Sequence, residues 1–131
     1  MTLVIDASVA IEYLLRTPIG IRIAPLLENE DLLAPELIDA EVLAVLRREV
    51  RAGRVREPRA NEAIDDFCDW YLTRVEHRSI LKEAWKYRHN VSGYDALYLA
   101  VARLYSATLL TADGPLARAP SVGVIVKNVR V

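Results

Sequence analysis

Asp6, Glu41, Asp95 and Asp113 are the acids whose positions suggest chemistry rather than solubility. Asp6 closes the apolar run Leu3-Val4-Ile5, and Asp113 closes Leu109-Leu110-Thr111-Ala112. In open parallel sheets ligands bind beyond the carboxyl ends of strands, so both acids stand where a site forms. Each also has a plainer reading: Asp6 can cap the helix that follows, and Asp113-Gly114-Pro115 is turn chemistry. Asp95 lies three residues after Ser92, the spacing of a capping box, yet it shares a helical face with Tyr98, Leu99 and Ala102 and so points inward. Glu41 is the most informative. Ile38, Glu41, Val42 and Val45 fall at i, i+3, i+4 and i+7, which puts a carboxylate inside an apolar stripe and too far along its helix to cap anything. A buried carboxylate needs a proton, a metal or a cation, so its plain alternative is an ion pair with an arginine.

One binding crevice accounts for all four acids together. Two carboxylates about 4 Å apart repel by roughly 4 kcal/mol at an effective dielectric of 20, so a converging quartet implies a positive charge to hold. Oxygen-only donors select hard ions, Mg²⁺ or Mn²⁺, which keep waters and bind substrate phosphates. Zinc does not suit the chain, since His77 and His89 lack any matching cysteine spacing and read as ordinary core or surface histidines. A site of this kind suits a substrate phosphate, with Asp6, Glu41 and Asp95 as the expected essential metal-holding acids and Asp113 as a second-metal or outer group.

Arg47, Arg48, Arg51, Arg54, Arg56 and Arg59 place six arginines within thirteen residues. They complement a helix C-terminus, but Arg48 also lies seven residues beyond Glu41, on nearly the same face and about 10 Å further along the axis. Arg47, Arg48 and Arg51 are therefore the candidate contacts to a nucleic-acid backbone phosphate. With Lys+Arg at 17 and Asp+Glu at 18, no global basic field exists and any such contact is local. Trp70, Trp85, Tyr71 and Tyr94 have faces that stack on bases, though core packing is the expected role for most. Cys68 reads as a small buried hydrophobe.

The elements that must position these residues follow from periodicity. Leu3–Ile5, Thr108–Leu110 and 122–126 are continuous apolar runs, the pattern of strands buried on both faces. Leu32–Ala34 and Val75–His77 are shorter strand candidates. Helices are expected over Ser8–Leu15, Pro18–Glu28, Pro35–Gly53, Arg59–Leu72, Ser79–Arg88 and Asp95–Tyr105, with Pro35 at a first helical position and Gly53 as a stop. In the fourth, Ile64, Phe67, Cys68 and Tyr71 form the apolar stripe. Alternating helices and buried strands mean an α/β sandwich around a mostly parallel sheet. At 131 residues, 53% of them hydrophobic, the chain fits one ordered domain spanning 1–131. A single cysteine, no signal-peptide pattern at the N-terminus and no membrane-length apolar run set the expectation of a cytoplasmic protein.

Val4-Ile5-Asp6-Ala7-Ser8, Pro35-Glu36-Leu37 leading to Glu41-Val42, Tyr94-Asp95-Ala96-Leu97-Tyr98-Leu99-Ala100 and Leu110-Thr111-Ala112-Asp113 together resemble the successive motifs of PIN-domain nucleases. The resemblance is nearest to the VapC toxins of VapBC toxin–antitoxin modules and spans nearly the whole chain. It implies a three-layer PIN-like sandwich and a metal-dependent endoribonuclease, with Asp6, Glu41, Asp95 and Asp113 as the acidic quartet. Ser8 and Thr111 match positions where the family often carries a supporting hydroxyl. It further implies an RNA substrate, a cognate antitoxin covering the active cleft and a homodimer. The stretch 53–90 carries no family motif and is where substrate choice would reside. Two other functions compete. A non-catalytic RNA- or protein-binding module would keep the fold without the chemistry, and the complete quartet argues against it. A phosphoacceptor receiver domain also gathers acids at strand ends around Mg²⁺, with Lys127 in a suitable place, but it would not draw two of its acids from helices.

Overall fold

The apolar run that follows Met1 forms the middle of the sheet. In the computed structural model, which describes residues 1–119 and 123–131, strand β1 (Thr2–Ile5) has Val4 and Ile5 fully buried. On one side lie β2 (Asp31–Pro35) and then β3 (Thr73–Val75); on the other lie β4 (Thr108–Thr111) and then β5 (Val126–Asn128). Every pairing is parallel, with Val4 level with Leu33 on one neighbour and Leu109 on the other. The expected mostly parallel sheet is thus wholly parallel among the described residues.

Parallel neighbours need crossovers, and helices supply them. Helices α1 (Ala7–Leu14) and α2 (Pro18–Asn29) join β1 to β2, and α3 (Leu37–Arg51) and α4 (Glu57–Asp69) join β2 to β3. A 3-10 turn (His77–Ser79), α5 (Leu81–Trp85) and α6 (Gly93–Leu104) return the chain past β2 and β1 to β4, and α7 (Gly114–Arg118) follows β4. Right-handed crossovers put α1–α4 on one face and α5–α7 on the other. The packing agrees: α1 meets α2, α3 and α4, whereas α5 meets α6. Helix α6 is buried continuously from Ala96 to Ala102, as its all-round apolar sequence requires.

Several expected boundaries shift. Pro35 ends β2 instead of starting a helix; pairing with β1 stops at Leu33, so its missing N–H leaves no gap in that ladder. Helix α3 begins at Leu37, whose N–H donates to His77 Nε2 at 2.8 Å, so this histidine caps the helix. The stripe on α4 is Ala60, Ala63 and Phe67, with Ile64 only partly buried. Cys68 is therefore exposed, and Tyr71, beyond the helix end, is 94% exposed. Trp85 and Tyr94 are also mostly exposed, against the expectation of core packing, while Trp70 stacks on Tyr13 with ring centroids 4.6 Å apart. The strand expected over 122–126 begins only at Val126, and Val122 lies outside the described residues. Val75–His77 is strand only at Val75, and Ser79–Arg88 holds just the short α5.

Candidate active site

Strand order β3-β2-β1-β4-β5 reverses direction between β1 and β4, and the carboxyl ends of those two strands flank the natural crevice of such a sheet. Asp6 directly follows β1 and Asp113 lies just past β4, at the N-caps of α1 and α7. Glu41 sits in the second turn of α3 and Asp95 in the first turn of α6. Four helices thus begin toward the crevice, and the positive ends of their dipoles favour anionic side chains there. All four acids line one cleft of about 360 Å³ together with Ser8, Glu12, Glu49, Arg48, Tyr98 and Arg130.

Asp6 both caps and faces the site. Its Oδ1 accepts the Val9 N–H at 3.1 Å and the Ser8 hydroxyl at 2.6 Å, while its Oδ2 accepts the Thr111 hydroxyl. Ser8 and Thr111 are in turn fixed by β4's exit, since Ala112 N–H donates to Ser8 Oγ and Asp113 N–H to Thr111 Oγ1, each at 2.9 Å. The two hydroxyls therefore tie the end of β1 to the end of β4 through one carboxylate. Thr111 is fully buried and Asp6 is 6% exposed. Burial pushes the Asp6 carboxyl up to about 6, although the hydrogen bonds from Ser8, Thr111 and Val9 oppose the rise, and the charge of Asp113 adds to it.

Among the described residues Glu41 has no arginine partner. Its Oε1 accepts a hydrogen bond of 2.6 Å from the hydroxyl of Tyr98, which is itself buried on α6. Partial burial raises the Glu41 carboxyl above its ordinary range, Tyr98 holds it back, and the Asp95 charge raises it further. Asp95 is raised by burial first and by Asp113 second, with Ser92 opposing; its N–H is capped by Ser92 Oγ at 3.1 Å. The electrostatic links run Asp6 to Asp113, Asp113 to Asp95 and Asp95 to Glu41, so the four share one field. Among the described residues none of the four forms an ion pair.

The donor set is all oxygen, mutually repulsive and, among the described residues, has no arginine or lysine paired to it, which fits a divalent metal ion. Among the described residues no three acidic, histidine or cysteine side chains close into a cage around a single point. A hard divalent ion that keeps several waters and takes only one or two carboxylates is compatible with that open arrangement.

Of the candidate RNA contacts only Arg48 lines the cleft; Arg47 and Arg51 are exposed on α3 away from it. Lys127 is exposed on β5 and does not reach the cleft, which removes the basis for a receiver domain. Three charged cleft residues, Glu12, Glu49 and Arg130, were not singled out by sequence. Glu12 lies four residues after Ser8 on α1, a spacing that points to the same face. Arg130 follows the carboxyl end of β5; its Nε donates to Ala112 O at 2.9 Å and its Nη2 pairs with Glu12 at 2.8 Å.

The PIN domain family model matches residues 3–121. Ribonuclease VapC1 of Mycobacterium tuberculosis is 38% identical over 129 residues, 97% of each chain, and ribonuclease VapC9 of the same organism is 32% identical over 85% of each. Among solved structures, VapBC2 from Rickettsia felis bound to a promoter DNA fragment superposes with a TM-score of 0.65 at 14% identity, covering 98% of each chain. PAE2754 from Pyrobaculum aerophilum gives 0.68 at 21%, covering 96% of this chain and 89% of that one; at these identities the likeness concerns the fold. An α/β sandwich with an acid-lined crevice at the β1–β4 reversal is the architecture of the PIN domain, and the chain belongs to that family. Within it the chain stands with the VapC ribonucleases, the toxin components of VapBC modules.

Proposed function

We propose that this chain is an endoribonuclease toxin in which Asp6, Glu41, Asp95 and Asp113 hold Mg²⁺ or Mn²⁺ against an RNA phosphodiester. The observation that carries the reading is the convergence of four carboxylates, drawn from four separate elements, on one cleft with no cation paired to any of them among the described residues. When bound, a divalent cation supplies the positive charge that polarises a phosphodiester and acidifies water.

The chain's own groups do the rest. Asp6, Glu41 and Asp95 form the essential cradle and Asp113 completes it toward α7. Ser8 and Thr111 lock the Asp6 carboxylate in one orientation, and Tyr98 does the same for Glu41. Arg48 and Arg130 at the cleft wall face an incoming phosphate. The VapBC2 neighbour supports a cognate antitoxin as partner, and the PIN–VapC resemblance supports a homodimer and a cytoplasmic setting. No helix among the described residues is long and apolar enough to cross a membrane.

Incubation of the purified protein with total RNA tests this. Cleavage is expected with Mg²⁺ or Mn²⁺, is abolished by EDTA, and falls on the order of 100-fold or more in Asp95→Asn. Full cleavage by Asp95→Asn, or cleavage indifferent to EDTA, would contradict the proposal.

A further inference from the structure

Beside the acidic cleft lies a second concavity of about 590 Å³, walled by the α1–α2 turn on one side and the α3–α4 connection on the other. Its charged residues are Arg54, Arg56, Arg59 and a single acid, Glu62, and its apolar surface comes from Leu15, Val55 and Pro58. The backbone explains why the arginines gather here. Gly53, at φ +76°, ends α3 in a left-handed turn. The Arg54 N–H then returns to Glu49 O and the Gly53 N–H to Val50 O, the paired bonds of a Schellman motif. That reversal folds Arg54 back over its own helix and starts α4 with Arg56 and Arg59 facing the same hollow.

The two concavities share a wall. Glu49 lines the acidic cleft while its carboxylate is gripped by Arg54, which lines the basic groove. Glu12 lines the cleft as well, and Thr17 of the groove donates its hydroxyl to it. A strand crossing this wall passes directly from the quartet to the arginines. Arg59 is committed in part, donating to Leu14 O at 2.7 Å and pairing with Glu62 at 3.4 Å. Arg56 is exposed, and among the described residues no ion pair or side-chain hydrogen bond restrains it.

We infer that this groove binds a stretch of the RNA strand flanking the scissile phosphodiester. Arg56, with the partly engaged Arg59 beside it, takes its phosphates while Arg54 stays paired to Glu49, and Val55 with Pro58 offers an apolar surface to the attached nucleoside. This rests on the nuclease reading and deepens it: the main strand-binding arginines lie past the end of α3, not at Arg47 and Arg51 on its exposed side. The stretch after residue 53, which carries no family motif, thereby contributes to substrate binding. Arginine is suited to the task because its planar fork matches phosphate oxygens and its face packs on apolar or aromatic surface.

The test is fluorescence anisotropy with a fluorescein-labelled single-stranded RNA of mixed sequence, in EDTA so that nothing is cut, between about 50 and 200 mM salt. Arg56→Glu is compared with the wild type, with Arg48→Glu at the cleft, and with Arg88→Gln on the opposite face of the sheet. Arg56→Glu is expected to weaken binding by about tenfold and to flatten the logarithmic salt slope by about 0.7 for each phosphate no longer neutralised, while Arg88→Gln changes neither. Thermal melting confirms that the variants are folded. An unchanged affinity and slope in Arg56→Glu, with Arg48→Glu weakened, overturns the groove and leaves the nuclease reading standing. A folded wild type that neither binds nor cuts RNA overturns that reading and the groove with it. Loss of binding to an acidic peptide probe with an intact RNA salt slope would assign the groove to a protein partner and equally overturn the inference.

Discussion

Asp6 caps α1 through Val9, accepts the Thr111 hydroxyl on its other oxygen and lines the cleft. The capping reading open in the sequence is observed, and the same carboxylate lines the proposed site. Its titration gives a testable consequence. Burial raises its pKa from 3.8 to about 6, so the folded protein holds that proton more tightly than the open chain does. The stabilising contribution is complete below the unfolded value near 3.8 and is lost by about 6, so metal-free stability should fall as pH rises through that window. The share of this one group is on the order of 3 kcal/mol. Thermal melts in EDTA should show Asp6→Asn, which keeps the capping oxygen, melting no lower than wild type at neutral pH. Asp6→Ala forfeits the cap, worth about 1 kcal/mol. A clear loss of Tm in Asp6→Asn would mean that the charge stabilises the fold, contrary to this account. Tyr98 is the second residue of consequence. Sequence placed it on Asp95's face but carried no sign of its bond to Glu41, because the two lie 57 positions apart. Tyr98→Phe should weaken Mn²⁺ binding by about tenfold, the equivalent of one hydrogen bond to a charged group. An unchanged affinity by calorimetry would show that Glu41 needs no such support.

Elements with strong periodic or capping signals were legible: α2 after Thr17-Pro18, α6 from its unbroken apolar run, and the stop of α3 at Gly53. The misses have local causes. Pro35 carries a helix-start preference, but β2 runs through it because its N–H is not needed by β1. The stripe of α4 came out one residue out of phase, since two alanines that carry little hydrophobic signal form the buried face with Phe67. Asp113-Gly114-Pro115 reads as a turn and is the first turn of the short α7. The approach of α1 to α2 is invisible in sequence. A Cβ at Gly20 would lie 1.9 Å from the Glu12 carbonyl oxygen, whereas one at Gly53 meets nothing. Gly20→Ala should accordingly cost several kcal/mol or prevent folding by levering α2 off α1, and Gly53→Ala about 1 kcal/mol from backbone strain alone. Chemical denaturation measures both. Equal, small losses would mean that the α1–α2 packing yields more readily than its geometry indicates.

At the scale of the whole molecule, a net charge of −1 conceals a sharp division, with an acidic cleft at the β1–β4 reversal and an arginine groove across the Glu12–Glu49 wall. The four acids could be picked out because Asp6 and Asp113 close apolar runs, Glu41 interrupts the apolar stripe of α3 and Asp95 opens the buried α6, and the parallel topology gathers these positions at one edge of the sheet. Glu12, Glu49, Arg130 and the groove could not, since they depend on how α1, α3 and the chain's last residues meet in space. The same topology predicts that metal relieves the repulsion built into the apo site. Saturating Mn²⁺ should raise the Tm of the wild type, and more so at neutral pH than at low pH, where the acids are protonated. The most direct test of the central claim is calorimetric titration of Mn²⁺ into metal-free protein. Binding is expected in the wild type and should be at least about tenfold weaker in Glu41→Gln and Asp95→Asn, each of which removes charge while keeping shape. Equal Mn²⁺ affinity in all three proteins would contradict the claim that these carboxylates hold the metal.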